Sequence, residues 1–161
     1  MKILTSCLTV VILLTSFWLA GCQLTPSQDL TEEVVDQLTP IKINDHLLNV
    51  EIVDRADSIT LGLGNRDEIG SDGMLFVLPD RQIVTFWMYQ MRFPLDIVWI
   101  DQDQVIGLTS NVPAPDPQQT PQRLPTYPSP GKVTHVLEIA AGRAAQLGLS
   151  ERDQVSIGRP I

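Results

Sequence analysis

The chain has 161 residues, of which 43% are hydrophobic and 19% are charged. This length predicts one domain that is large enough to bury its own core. The 19 acidic residues outnumber the 11 basic ones, which gives a formal charge of −8. This charge argues against nucleic acid as a partner, because phosphate binding needs clustered Lys and Arg.

The first 22 residues have the pattern of an exported protein. Lys2 precedes a nearly uncharged apolar run over residues 3–20, which is typical of a secretory signal peptide. The run ends in Leu19-Ala20-Gly21-Cys22, which resembles the bacterial lipobox, where the chain is cut before a cysteine that receives lipid. An uncleaved membrane anchor is the alternative, because about 18 apolar residues can just span a bilayer. We interpret residues 1–21 as a lipoprotein signal peptide and Cys22 as the lipidation site.

The two cysteines and Gln23 indicate where the mature protein is located and which chemistry its domain lacks. Cys7 would leave with the signal peptide and Cys22 would carry lipid, so disulfides, thiol catalysis and Cys-ligated metals are not expected in the domain. Lipidated Cys22 predicts an exported protein anchored in a membrane, on the periplasmic face or at the cell surface. Gln23 replaces the Asp that usually retains lipoproteins in the inner membrane, so the outer membrane is preferred where the host has one.

The segment 22–40 is predicted to be a polar tether between the lipid and the domain. As a coil, residues 23–40 would span ~25 Å, enough to hold a domain clear of the headgroups. The alternative is a short packing helix behind Thr31 as N-cap, with one apolar face formed by Leu30, Val34, Val35 and Leu38.

Residues 41–161 are predicted to form a single all-β domain of the sandwich or barrel type. The helical patterns are brief, at 56–63 and 140–147, and the second stops at Gly148, as helices often do. Short, closely spaced strands with little helix are typical of sandwiches and barrels. The predicted strands after the first hairpin, whose turn is at Asn44-Asp45, cover residues 73–78, 83–89, 95–100, 104–109, 133–139 and 154–157.

A proline-rich stretch interrupts this pattern at residues 113–130, where 7 of 18 residues are proline. Such a segment disfavours a central strand and prefers extended polyproline geometry. It is long for a loop, so it is either a lid or wall over a site or a mobile excursion. We expect residues 114–130 to be exposed and to tolerate shortening with little loss of stability.

Four sequence blocks follow one another in a distinctive order. They are Gly62-Leu63-Gly64-Asn65-Arg66-Asp67, Asp72-Gly73-Met74-Leu75-Phe76-Val77, Phe86-Trp87-Met88 with Pro94-Leu95-Asp96-Ile97, and Val136-Leu137-Glu138-Ile139-Ala140-Ala141-Gly142. Together they resemble the family named domain of unknown function 192, over roughly residues 41–157. Gly64 stands where that family usually has Met, Gln90 where Asn is common, and Arg152 where Gly usually precedes Asp. The resemblance implies one all-β domain with a minor helix, often exported, and implies no activity because none is established for the family.

Two carboxylates are the candidate chemical groups. Strand alternation places Asp96 and Glu138 each on a face that carries hydrophobic residues, where a carboxylate is costly unless it is paired or hydrogen-bonded. Two embedded carboxylates with raised pKa values would suit general acid/base catalysis. The interpretation that we favour is that each braces a loop, with Arg66 as counter-ion or backbone N–H groups as donors.

The other candidate groups are a basic side chain and an aromatic cluster. Arg66 could clamp an internal carboxylate or an anionic ligand. Phe86 and Met88 share one strand face and are predicted to be core residues. Trp87 and Tyr89 share the other face, and two roles are considered for them, packing in the core and lining a ligand pocket. The predicted ligand-binding residues are therefore Arg66, Trp87, Tyr89 and Asp96.

The sequence predicts neither a metal site nor a cofactor. His46 and His135 are far apart and lack a spaced carboxylate, which is weak evidence for metal, and no cofactor fingerprint occurs. The leading hypothesis is a non-catalytic module of the envelope that binds a small ligand or an envelope component. The alternatives are an envelope hydrolase with Asp96 and Glu138 as its acid/base pair, and a structural lipoprotein without a ligand.

Overall fold

The computed structural model describes residues 38–158. The signal peptide predicted at 1–21, Cys22 and the predicted tether up to residue 37 lie outside these residues. Within 38–158, no helix has both the length and the hydropathy needed to span a membrane. The described elements are β1 (Thr39–Ile43), β2 (His46–Val53), α1 (Ala56–Leu61), β3 (Gly73–Gln82), β4 (Thr85–Trp87), β5 (Leu95–Asp101), β6 (Gln104–Val112), a 3-10 helix (Pro121–Arg123), β7 (Thr126–Pro128), β8 (Val133–Ala140), α2 (Arg143–Gln146) and β9 (Val155–Ile157).

Seven of these strands form one mixed sheet, in the order β6-β5-β8-β3-β2-β1-β9. Every neighbouring pair is antiparallel except β2 and β3, which are parallel. A parallel pair needs a crossover connection, and α1 with the turn after it lies in that connection. The strands β4 and β7 form a separate antiparallel ribbon.

The two edges of the large sheet meet. An isolated bridge joins Gln104 in β6 to Gln154, just before β9, and the backbone N–H of Val105 donates to the carbonyl of Asp153 at 2.9 Å. These bonds use backbone groups that an open edge would leave unpaired. The sheet is therefore curled into a half-barrel.

Both faces of the sheet are apolar and covered. The residues of β5 alternate between two hydrophobic clusters, so that Ile97 and Trp99 belong to one and Val98 and Ile100 to the other. The cluster that contains Val98 and Ile100 also includes Ala144 of α2, and we call its side of the sheet the helix face. The cluster that contains Ile97 and Trp99 packs against the β4–β7 ribbon, and we call its side of the sheet the ribbon face.

The structure confirms the predicted all-β class with minor helix, although several element boundaries differ. β1 begins at Thr39, so the first strand includes two residues assigned to the tether. The strand predicted at 83–89 shortens to β4 (Thr85–Trp87), and Gln90 adopts a left-handed φ of 59°. This conformation, which is uncommon for residues other than glycine, turns the chain away from the ribbon.

The proline-rich stretch is only partly the exposed excursion that its composition predicts. Its last third forms β7, in which Tyr127 pairs with Phe86 and packs against the core. Ser129 is buried, and its Oγ accepts a hydrogen bond from the N–H of Val84 at 3.1 Å. The expectation that residues 114–130 are exposed throughout is therefore wrong, because this end of the stretch covers the ribbon face.

Candidate functional site

A cavity of about 240 Å³ opens on the ribbon face of the sheet. Its walls come from the end of α1 and the turn after it, from β3, from β4 with the turn after it, and from one residue of β8. Asn65 and Gln90 tie two of these turns together, since the N–H of Asn65 donates to the carbonyl of Gln90 and its side-chain amide donates to Gln90 Oε1, both at 2.9 Å. The cavity thus lies between segments that are held in place by direct bonds.

A stacked aromatic pair lies at the mouth of the cavity. The rings of Trp87 and Tyr89 are 5.0 Å apart and inclined by 21°, and their side chains remain 48% and 39% exposed. The intervening Met88 is buried, as predicted, and Phe86 packs edge-on against Phe76. Alternation along β4 and the two residues after it therefore directs Phe86 and Met88 into the core and leaves Trp87 and Tyr89 as an aromatic surface that faces solvent.

Glu138 lines the cavity from the sheet side. Its register neighbours across the sheet are Met74 and Ile97, which are core residues of the ribbon face. The residue is only 5% exposed, and its carboxyl group has no hydrogen-bond or ion-pair partner among residues 38–158. No fully enclosed side-chain oxygen or nitrogen of the described residues lacks a partner, so the Glu138 oxygens keep contact with the open space of the cavity.

Burial controls the protonation of this carboxyl group. Removal from water raises the pKa of Glu138 from 4.5 to about 8, because the charged form loses its hydration and gains no partner. The group can therefore serve as a hydrogen-bond donor when protonated and as a counter-ion when a cation approaches.

Asp96 lies on the opposite side of the sheet. It pairs in register with Ile139, whereas Glu138 pairs with Ile97, and consecutive residues of a strand point to opposite faces. Asp96 is fully buried and accepts hydrogen bonds from the backbone N–H groups of Asn111 at 2.7 Å and Ala144 at 2.9 Å. The two carboxylates do not converge, so the acid/base pair that the hydrolase hypothesis requires does not form.

Arg66 pairs with a carboxylate that the sequence analysis did not single out. Its guanidinium Nη1 lies 2.6 Å from Oε1 of Glu51, which is buried in β2. The interpretation of Arg66 as the counter-ion of Asp96 or Glu138 is wrong, and Arg66 does not line the cavity. Alternation along the strand predicts that Glu51 shares the polar face of β2 with Asn49. Because β2 lies inside a sheet whose two faces are both covered, Glu51 is buried instead.

A second cavity of about 550 Å³ adjoins the first and shares Tyr89 and Met91 with it. One wall consists of residues between Ala114 and Leu124 of the proline-rich stretch, and the other is the turn that contains Gln90. The first part of the proline-rich stretch is therefore the wall of a cavity, which was one of the two roles considered for it.

The two histidines lie apart in the structure. His46 begins β2 and is exposed, whereas His135 is half-buried in β8 with its Nδ1 2.9 Å from the Thr134 hydroxyl. Burial lowers the pKa of His135. Among residues 38–158, no group of three or more His, Cys, Asp and Glu side chains is arranged to hold a metal ion.

Comparisons with known proteins agree with the fold. A family model described as uncharacterized ACR, the domain of unknown function 192, matches residues 39–157, and no curated protein matches the chain. A solved protein of unknown function from Novosphingobium aromaticivorans is 30% identical, with a TM-score of 0.63, over 73% of this chain and 83% of that one. A Sinorhizobium meliloti protein described as a "putative transcription regulator" is 26% identical, with a TM-score of 0.65, over 74% of this chain and 92% of that one.

Proposed function

The chain belongs to the domain of unknown function 192 family, and on the geometry of its cavity we propose that it is a membrane-anchored envelope protein that binds a small ligand. The observation that carries this proposal is one cavity with a stacked, exposed Trp87–Tyr89 pair at its mouth and the buried, unpaired Glu138 in its wall. An unpaired buried carboxyl group costs stability, and such costs are typical of binding sites.

The charged groups of the cavity support binding without conversion of the ligand. Glu138 is the one carboxylate among the described lining residues, and Asp96 lies on the other face of the sheet. A general acid and a general base usually require two such groups at one site. A single carboxyl beside aromatic rings instead supplies orientation and contact area, as a ligand pocket does.

Nucleic acid is not the ligand that we propose. The excess of acidic over basic residues gives the chain a charge of −8, and binding to phosphates depends on clustered positive charge. The description of the Sinorhizobium protein therefore does not extend to this proposal. A small molecule or a component of the envelope fits the cavity and the charge.

The binding site is tested by a fragment screen on the full-length chain with ligand-observed NMR. We expect fragments that bind the unaltered chain to bind Trp87→Ala at least about tenfold more weakly, because one face of the stacked pair is lost. The matched control is Leu47→Ala, which removes an exposed hydrophobic side chain from the hairpin of β1 and β2 and should leave binding unchanged. Equal binding by Trp87→Ala and Leu47→Ala would contradict the assignment of the cavity.

The membrane anchor is tested by metabolic labelling with palmitate. Cys22→Ala should abolish the label and leave the precursor uncut, whereas Cys7→Ala should be labelled and processed normally. Gln23→Asp should shift the labelled protein from the outer to the inner membrane in a host with two membranes. Normal processing and labelling of Cys22→Ala would overturn the lipoprotein proposal.

A further inference from the structure

We propose that the ligand of this cavity is an organic cation, whose ammonium group pairs with the Glu138 carboxylate while aromatic rings contact its alkyl groups. This inference rests on the proposed function, because it takes the cavity to be a ligand site. It adds the chemical class of the ligand.

The first argument is the missing counter-charge. No Lys, Arg or His occurs among the described residues that line the cavity, and the Glu138 carboxyl has no partner in residues 38–158. Glu51, buried on the same face of the sheet, shows how this fold accommodates a carboxylate, since Arg66 contacts it at 2.6 Å. A ligand ammonium group would do for Glu138 what Arg66 does for Glu51, and an anionic ligand would be repelled by the ionised carboxylate.

The second argument is the aromatic surroundings. Phe86, Trp87 and Tyr89 all line the same cavity as Glu138. Cations are attracted to aromatic faces within about 6 Å of the ring centroid, and aromatic cages recognise alkylated ammonium groups in this way. Aromatic rings and one carboxylate are therefore a complementary set for an alkylammonium group.

The third argument is size. The cavity of about 240 Å³ is smaller than the roughly 300–1,000 Å³ of pockets for drug-sized ligands, so it suits an ammonium head group with short alkyl substituents. The adjoining cavity, which shares Tyr89 and Met91, provides room for the remainder of a longer amine.

The inference predicts a pH dependence of binding. Burial raises the pKa of Glu138 to about 8, so a cation must displace the proton below that pH, and its affinity should fall roughly tenfold per pH unit below 8. The other groups near Glu138 do not mask this pH dependence of cation binding. Tyr89 is the other titratable residue of the described lining, the neighbouring strands present Met74 and Ile97, and the Glu51–Arg66 ion pair lies two strands away on the same face.

The experiment compares three probes of matched shape on the purified full-length chain: n-butylammonium, n-butanol and butyrate. Calorimetry and Trp fluorescence should show that n-butylammonium binds at least about tenfold more tightly than n-butanol at pH 8.5, with butyrate weakest. Glu138→Gln should abolish the preference for the cation and its pH dependence while n-butanol binding is retained. The control Glu151→Gln, which removes an exposed negative charge, should keep both.

The remaining outcomes separate this inference from the proposed function. If n-butanol binds as well as n-butylammonium, and Trp87→Ala weakens both, the cavity is a ligand site and the cation inference is overturned. If the cation preference persists in Glu138→Gln, the inference is also overturned, because the selectivity then arises elsewhere. If no probe binds and no fragment of the NMR screen distinguishes Trp87→Ala, both the inference and the proposed binding function fail.

Discussion

Within residues 38–158 three carboxylates are buried, and each is accommodated differently. Glu51 has the guanidinium of Arg66, and Asp96 has two backbone N–H donors. Glu138 has neither, and burial raises its pKa to about 8. Removal of a buried carboxylate that has partners leaves those partners unsatisfied, whereas a carboxylate without partners weakens the fold when it is ionised. Substitution should therefore have opposite effects on stability at Asp96 and at Glu138.

Glu138→Gln should stabilise the protein at alkaline pH. The raised pKa means that the folded protein holds a proton that the unfolded chain releases above about pH 4.5. The contribution of Glu138 to stability is therefore fully present below pH 4.5 and is lost as the pH rises to about 8. We expect the unfolding midpoint of Glu138→Gln, measured by circular dichroism, to exceed that of the unaltered chain at pH 8.5 and to match it near pH 4.5.

The control for this prediction is Glu151→Gln, which removes an exposed carboxylate and should shift the midpoint little at either pH. A lower midpoint for Glu138→Gln at pH 8.5 would show that the carboxylate is stabilised by an interaction.

Asp96→Asn should destabilise the protein by about 2–3 kcal/mol. The substitution replaces one acceptor oxygen by an amide that cannot accept from the N–H of Asn111 or Ala144, and it removes the charge that strengthens both bonds. Urea titration measures the change in the free energy of unfolding. Asp80→Asn, at an exposed position of β3, is the control, and equal stability of the two variants would refute the bracing role.

At the scale of elements, the β4–β7 ribbon and the turn after β4 convert one face of the sheet into a cavity. Each strand has three residues, and Pro128 can occupy β7 because a two-stranded ribbon leaves an edge that needs no donor. The proline-rich stretch has two parts in this arrangement. Residues 114–124 include one wall of the second cavity, and the end around Ser129 anchors the ribbon.

These two parts should respond differently to mutation. Deletion of residues 116–119, most of which are exposed, should lower the free energy of unfolding by less than about 1 kcal/mol because loop closure depends weakly on length. Ser129→Ala should cost about 1–2 kcal/mol, because its hydroxyl bonds both to Val84 and to the carbonyl of Gly131. Urea titration of both variants measures the difference, and a larger loss for the deletion would assign that turn to the core.

At the scale of the whole molecule, the curl of the sheet gives the domain two covered faces and few free edges. The helix face holds the larger aliphatic cluster and Asp96, while the ribbon face holds the aromatic cluster and the cavity. The contact between the beginning of β6 and the residues around β9 closes this arrangement.

Amide hydrogen exchange measured by NMR tests the closure. The N–H groups of Val105 and Val155 donate to the carbonyls of Asp153 and Asp103 at 2.9 and 2.7 Å, so both should exchange slowly, like amides inside the sheet. The exposed amide of Glu151 should exchange fast. Rapid exchange at Val105 and Val155 would indicate that the two edges are open.

The sequence by itself determined the class of the domain, its family and the burial of two carboxylates. These features depend on local patterns, since alternation along a strand identifies the residues that share a face. Asp96 and Glu138 follow hydrophobic alternation in β5 and β8, which is why both could be singled out. The signal peptide, Cys22 and the tether remain predictions from equally local patterns.

The tertiary structure alone decided which groups meet. The register of β5 against β8 placed Glu138 and Asp96 on opposite faces. The parallel pairing of β2 with β3 buried Glu51, which pairs with Arg66. The cavity combines residues of the turn after α1, of β4 and of β8, which are distant in sequence. Periodicity reports the environment of a residue along its own strand, whereas partners and cavities depend on which strands lie side by side, and that order follows from packing of the whole chain.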